Sequence, residues 1–114
     1  MKIKIDPVAK PRMTQQDKWK RRPCVMRYRA FCDEIRASEL VVKTNGSKLL
    51  FTLPMPKSWS DKRKAQMEGT PHLQKPDIDN LLKAVLDALY EDDSCVYQIT
   101  IEKKWGYEGS IEVC

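Results

Sequence analysis

The sequence predicts a single α+β domain in which helices pack on a small mixed or antiparallel sheet. Its 114 residues suit one domain of ordinary size. One long segment has the apolar period of a helix, and several short runs are rich in the residues that form strands. We treat residues 1–114 as one domain, with a basic N-terminal arm over residues 7–23 and a basic connection over residues 54–75.

The first half of the chain predicts a strand, a helix and a hairpin. Residues 2–5 alternate polar and apolar side chains and read as a short strand that ends at Asp6-Pro7. A helix is expected over residues 26–37, because the apolar positions 28, 31, 32 and 35 have helical spacing. Two strand-like runs, 40–44 and 48–53, flank Asn45-Gly46, which favours a hairpin, although the first run could instead extend the helix.

The second half predicts two helices followed by two strands. Ser60 is placed to cap a short helix over residues 61–67 that ends before Gly69. Residues 78–90 carry one continuous apolar stripe and form the longest predicted helix. Residues 95–101 and 111–113 read as strands, and Gly106 and Gly109 permit a turn between them. We therefore expect these two strands to pair as an antiparallel hairpin.

Composition excludes several classes of protein. Apolar residues make up 41% of the chain and charged residues 32%, as in soluble globular proteins rather than disordered ones. No run approaches the ~18 apolar residues of a membrane span, and the first residues lack the apolar region of a signal peptide. We expect a cytoplasmic protein with no membrane partner. The four cysteines lack Cys-x-x-Cys spacing and the only histidine is His72, so no zinc site is expected.

The charge is unevenly distributed along the chain. Residues 1–74 hold 17 Lys and Arg against 7 Asp and Glu, whereas residues 75–114 hold 4 against 9. In the basic arm, cations surround Trp19, a combination that suits phosphates and a stacked base. The alternative is that the basic residues only form a solvated surface and that Trp19 anchors the arm to the core. The candidate DNA-binding residues are Lys10, Arg12, Lys18, Lys20 and Lys75.

Four aspartates flank the longest predicted helix. Pro76 places Asp77 at or beside the helix start, where an extended entry would let Asp77 and Asp79 project to the same side. Asp92-Asp93 follows the helix, and converging carboxylates of this kind suit Mg²⁺ or Mn²⁺. The alternative is structural, since aspartate also caps helices and Lys83 could form a ladder of surface ion pairs with its helical neighbours Asp79 and Asp87.

The residues Lys75-Pro76-Asp77-Ile78-Asp79-Asn80-Leu81-Leu82-Lys83, followed by Asp92-Asp93, resemble the signature of RusA-type Holliday-junction resolvases, the crossover junction endodeoxyribonucleases. The resemblance implies a Mg²⁺-dependent endonuclease, with Mn²⁺ as a substitute ion, that acts as a homodimer. Its substrate would be branched DNA, in which it would resolve four-way junctions by paired symmetric nicks during DNA recombination and repair. A phage or prophage context also fits the family.

The resemblance also implies the role of each site residue. Asp77, Asp79 and Asp93 match the metal-binding and catalytic carboxylates, Lys83 matches the catalytic lysine, and Asn80 and Asp92 match supporting residues. The link before Asp92 is shorter than in some family members and the connection over residues 57–74 is longer, so a cleavage-sequence preference cannot be transferred. Two other functions stay open: a DNA-junction-binding protein without catalysis, and a small interaction domain.

Overall fold

The structure, a computed structural model, describes residues 1–12 and 22–114, which form a four-stranded mixed sheet with its two longer helices in the same core. This confirms the predicted α+β class. The elements are β1 (Lys2–Ile3), α1 (Pro23–Ala37), β2 (Ser47–Pro54), α2 (Asp61–Met67), α3 (Ile78–Leu89), a 3₁₀ turn (Asp93–Cys95), β3 (Ile99–Gly106) and β4 (Ser110–Val113). None of the described helices has the length and apolar content needed to span a membrane.

The strands lie in the order β1-β4-β2-β3, and β2 is central to the sheet. It pairs in parallel with β3 along the whole length of both strands, from Ser47 opposite Ile99 to Pro54 opposite Gly106. Its other edge pairs antiparallel with β4, which in turn pairs with β1. A parallel pair cannot be joined by a tight turn, so the chain between β2 and β3 crosses over through α2 and α3.

The core lies between the sheet and the two longer helices. Alternate residues of β2 face it, and Leu49 and Phe51 are fully buried there. The predicted helical stripes face the same core: Phe31 and Ile35 of α1 and Val85 of α3 are buried in one cluster with these strand residues. Each helix therefore follows from its apolar period, and α1 and α3 pack against each other over the sheet.

The hairpin predicted around Asn45-Gly46 is wrong. Gly46 does make a turn, with φ of 76°, but residues 40–44 are neither a strand nor an extension of α1, which ends at Ala37. The reason is that both edges of β2 are already taken by β3 and β4, so no edge is left for this run to pair with. The run instead buries Leu40 and Val42 in the core as irregular chain.

The predicted closing hairpin is also wrong, although both of its strands exist. The first strand begins at Ile99 rather than Cys95, and β2 lies between β3 and β4. The three residues that join them therefore step across the end of β2, where the Met55 amide donates to the Gly106 carbonyl. Gly106 makes this crossing tight: a Cβ at this residue would lie 2.3 Å from Cγ2 of Thr52.

We predict that Gly106→Ala destabilises the fold by about 1–3 kcal/mol, because the added methyl overpacks a buried β-branched side chain. Thr52→Ser removes the Cγ2 methyl group with which the new Cβ would collide. The cost of Gly106→Ala, measured by urea unfolding, should therefore be smaller in the Thr52→Ser background than in the wild type. Equal costs in the two backgrounds would show that the Thr52 methyl is not what restricts this position.

Candidate active site

The start of α3 carries two carboxylates that have no partner in the described residues. Asp77 is the N-cap of α3, with extended backbone (φ −69°, ψ 145°), yet its side chain makes no capping hydrogen bond. Asp79 lies in the first turn and, like Asp77, is exposed. The capping role that sequence reasoning left open for Asp77 is therefore not used. The helix dipole favours these negative charges at this position.

A lysine from β3 holds the segment that leads into α3. The Lys103 ammonium donates to the backbone carbonyl of Pro76 at 2.7 Å and also to that of Gln74. The same segment runs along the outer edge of β3, where the His72 amide donates to the Lys103 carbonyl. Asp77 follows Pro76 directly, so its backbone is anchored to the sheet through the Lys103 side chain.

The third carboxylate is brought back to α3 by Lys83. The Lys83 ammonium donates to Oδ2 of Asp93 at 2.8 Å and lies 3.7 Å from Oδ1 of Asp87. The hydrogen bond to Asp93, and then the charge of Asp87, raise the pKa of Lys83, which therefore stays protonated at neutral pH. Of the surface ladder predicted for Lys83, the described ion pairs contain the contact with Asp87 and not one with Asp79. The shorter of the two Lys83 contacts is the one with Asp93, and it connects α3 to the 3₁₀ turn that follows it.

The two adjacent aspartates after α3 have different partners. Asp92 caps the 3₁₀ turn, because its carboxylate accepts from the Ser94 amide at 2.9 Å, and this hydrogen bond lowers the pKa of Asp92. Asp93, the next residue, faces Lys83. The start of the 3₁₀ turn therefore separates the two side chains.

The N-terminal segment is fastened to the middle of α3 through Asp87. The Lys10 ammonium forms an ion pair with Oδ2 of Asp87, and the Tyr28 hydroxyl lies 3.3 Å from the same oxygen. The Lys10 amide also donates to the Asn80 carbonyl at 3.2 Å, so the backbone of Asn80 supports this segment. A phosphate contact by Lys10 stays a prediction, and it competes with the ion pair to Asp87.

Sequence comparison identifies the family. The chain matches the model of endodeoxyribonuclease RusA over residues 4–114. It belongs to the RusA endodeoxyribonuclease family. A protein of Bacillus subtilis (strain 168) named "Uncharacterized protein YqaN" is 40% identical in an alignment of 68 residues, and the match covers 53% of this chain and 48% of the relative. The chain thus spans about half the length of this relative. No solved structure matches the chain.

The other predicted DNA-binding residues are on the surface or outside the described residues. Arg12 and Lys75 are exposed, and the Arg12 carbonyl accepts from the Arg22 guanidinium at 2.9 Å. Lys18 and Lys20, together with Trp19, lie outside the described residues. The role of the basic arm therefore stays a prediction.

The donor atoms available for a metal ion in this RusA-family chain are carboxylate oxygens. Asp77, Asp79 and Asp93 supply the hard oxygen ligands that Mg²⁺ and Mn²⁺ prefer, and the first two have no competing partner within residues 1–12 and 22–114. No group of three His, Cys, Asp or Glu side chains in those ranges is close enough to hold an ion. The oxygen donors are thus of the type that suits a divalent cation, but the described positions do not bring three carboxylates together, and Lys83 neutralises Asp93.

Sequence reasoning missed Lys103 and the role of His72. The position of Lys103 in its strand could have indicated its role. Side chains two residues apart in a strand project to the same face, and Ile99 and Ile101 pack against the core, so Lys103 projects to that face as well. A cation at such a position needs a partner, and here it finds two carbonyls. His72 is buried against Trp105, with ring centroids 4.1 Å apart, and its Nδ1 has no hydrogen-bond partner in the described structure.

We predict that His72 makes the stability pH-dependent. Burial, and then the nearby charge of Lys103, lower the pKa of His72 below its ordinary value of 6.5. The unfolded chain therefore takes up the proton first, and stability is lost as pH falls below about 6.5. One such proton accounts for at most about 1.4 kcal/mol per pH unit.

Urea unfolding between pH 7.5 and 5 measures this effect, with His72→Asn as the comparison. The loss of stability on acidification should be smaller in His72→Asn than in the wild type. The same pH dependence in both proteins would exclude His72 as its source.

Proposed function

We propose that this protein is a structure-selective endodeoxyribonuclease that resolves four-way DNA junctions by divalent-cation-dependent hydrolysis of phosphodiester bonds, with Mg²⁺ as the natural ion and Mn²⁺ as a substitute. Membership of the RusA family supports the nuclease class. The observation that carries the proposal is the contact between Lys83 and Asp93, because it returns a third carboxylate to the helix that begins with Asp77 and Asp79.

The three carboxylates have one role in this proposal and Lys83 has another. Asp77, Asp79 and Asp93 would hold the cation, which when bound activates a water molecule and neutralises charge on the cleaving phosphate. Lys83 lies beside Asp93 and is protonated, so it can donate to a phosphate oxygen where negative charge develops. Asn80 and Asp92 support the site through the Lys10 segment and the 3₁₀ turn.

The proposal includes a two-fold homodimer. One small domain with one carboxylate set makes one cut, whereas resolution of a junction requires two symmetric nicks on opposing strands. Two copies related by a two-fold axis would match the symmetry of the junction. This activity belongs to DNA recombination and repair, in a bacterial cell or in a phage that grows there.

We predict that Asp77→Asn, Asp79→Asn and Asp93→Asn each reduce junction cleavage at least about 100-fold while junction binding is kept. The amide keeps the shape of the side chain but loses the charge that holds the cation, which is worth several kcal/mol at such sites. Mn²⁺ binding, measured by calorimetry, should weaken in the same variants. Asp92→Asn is the matched control for cation binding, since its carboxylate accepts from the Ser94 amide and is not among the proposed ligands; its affinity for Mn²⁺ should stay near the wild-type value.

Wild-type cleavage by Asp77→Asn, Asp79→Asn or Asp93→Asn would remove that residue from the site. Binding of the junction without any Mg²⁺-dependent cleavage by the wild type would favour the non-catalytic alternative. Neither junction binding nor cation binding would favour the small interaction domain.

We also predict that Lys83→Ala cuts about 10²–10³-fold more slowly at saturating protein, because it removes a donor where charge develops. Junction affinity should stay near the wild-type value, since one lysine is a small part of the phosphate-binding energy. Asp87→Asn, which removes the other carboxylate beside Lys83, should cut far better than Lys83→Ala. Unimpaired single-turnover cleavage by Lys83→Ala would mean that Lys83 only forms surface ion pairs.

A further inference from the structure

The helix α2 and the turn before it form a basic surface that the proposed catalytic site does not use. We call residues 57–67 the α2 platform. It carries four cations, and α2 has no buried residue. No ion pair to an acidic side chain involves these cations within the described residues. They are Lys57, Lys62, Arg63 and Lys64.

The platform is held on the sheet by aromatic contacts. The Trp59 ring packs on Trp105 of β3, with centroids 4.8 Å apart, and the Arg63 guanidinium lies 4.1 Å from the Trp59 centroid. Ser60 caps α2 by accepting from the Arg63 amide at 3.2 Å. After the helix, the Gly69 amide donates to the Trp105 carbonyl at 2.9 Å. The backbone of the platform, and with it the Arg63 guanidinium, therefore has a fixed place relative to β3.

The same strand connects the platform to the candidate active site. Trp105, which contacts the platform, lies two residues after Lys103, which holds the carbonyl of Pro76. Two residues of a strand span about 7 Å and project to the same face. The platform and the entry to Asp77 are thus attached to neighbouring positions on one face of β3.

The charges of the α2 platform and of the candidate active site together indicate a phosphate-containing partner. Asp77 and Asp79 repel phosphate, so a DNA strand that approaches them needs compensating positive charge nearby. We propose that the α2 platform binds the phosphate backbone of the double-helical DNA arm next to the cleavage site. This inference rests on the proposed function, because it assumes that the carboxylates cut DNA.

Two features favour a DNA backbone over other ligands. Trp59 already contacts Arg63 and Trp105, so a base stacked on its ring would have to displace one of them. The platform therefore meets phosphates, and its binding is independent of base sequence. A membrane surface would require an apolar face, whereas the helix Asp61–Met67 offers little beyond Ala65 and Met67.

The test compares two charge-matched double variants. Lys57→Gln with Lys62→Gln neutralises two exposed cations of the platform, and Lys43→Gln with Lys48→Gln neutralises two exposed cations at the opposite end of the sheet. By strand register, Lys48 lies level with Thr100, roughly 16 Å along the sheet from Trp105. Binding to a four-way junction and to a plain duplex with the sequence of one arm is measured over a series of salt concentrations.

We expect the platform variant to reduce the slope of log affinity against log salt by about 0.9 for each phosphate that it no longer neutralises, hence by up to about two units. The decrease should be equal on junction and duplex, and single-turnover cleavage at saturating protein should stay near the wild-type rate. The Lys43 and Lys48 variant should keep a slope close to that of the wild type.

Three results would overturn the inference. They are an unchanged slope in the platform variant, an equal decrease in both variants, and a decrease seen with the junction but not with the duplex. Failure of the proposed function is distinguishable from these. A wild type that binds DNA but never cuts would contradict the nuclease while a selective decrease of the slope still supports the platform, and a wild type that binds no DNA would overturn both.

Discussion

The parallel pairing of β2 with β3 is the constraint on which the rest of the structure depends. It extends over eight residues of each strand and forces the intervening chain to cross over through α2 and α3. With β4 on its other edge, β2 has no free edge, so β3 becomes the outer strand of the sheet. The segment that leads into α3 then runs along that outer strand, joined to it by the bridge between Pro71 and Lys104.

Two lysines hold the segments that carry the candidate site residues. Lys103 holds the backbone just before Asp77, and Lys83 holds Asp93 against α3. Each lysine therefore holds one end of the acidic motif, Lys103 the end before Asp77 and Lys83 the end at Asp93. The exposed carboxylates of Asp77 and Asp79 have no partner in the described residues, so their oxygens are available to the cation proposed above.

Local rules predicted the elements better than their pairing. The helices α1 and α3 and the Ser60 cap follow from apolar period and capping chemistry, which act within a few residues. Both predicted hairpins were wrong, because a turn signal at Gly46 or Gly106 does not determine which strands pair with each other in the sheet. The family resemblance is confirmed over residues 4–114, whereas the anchor made by Lys103 depends on long-range contacts that spacing cannot show.

The most direct test of the central claim, that this chain is a metal-dependent resolving nuclease, uses the unmodified protein. A four-way junction labelled on each strand in turn is incubated with protein in Mg²⁺ or in EDTA, and the products are mapped at nucleotide resolution. We expect two nicks at symmetric positions on opposing strands in Mg²⁺, and none in EDTA. Cleavage that persists in EDTA, or no cleavage of a junction that the protein binds in Mg²⁺, would contradict the claim.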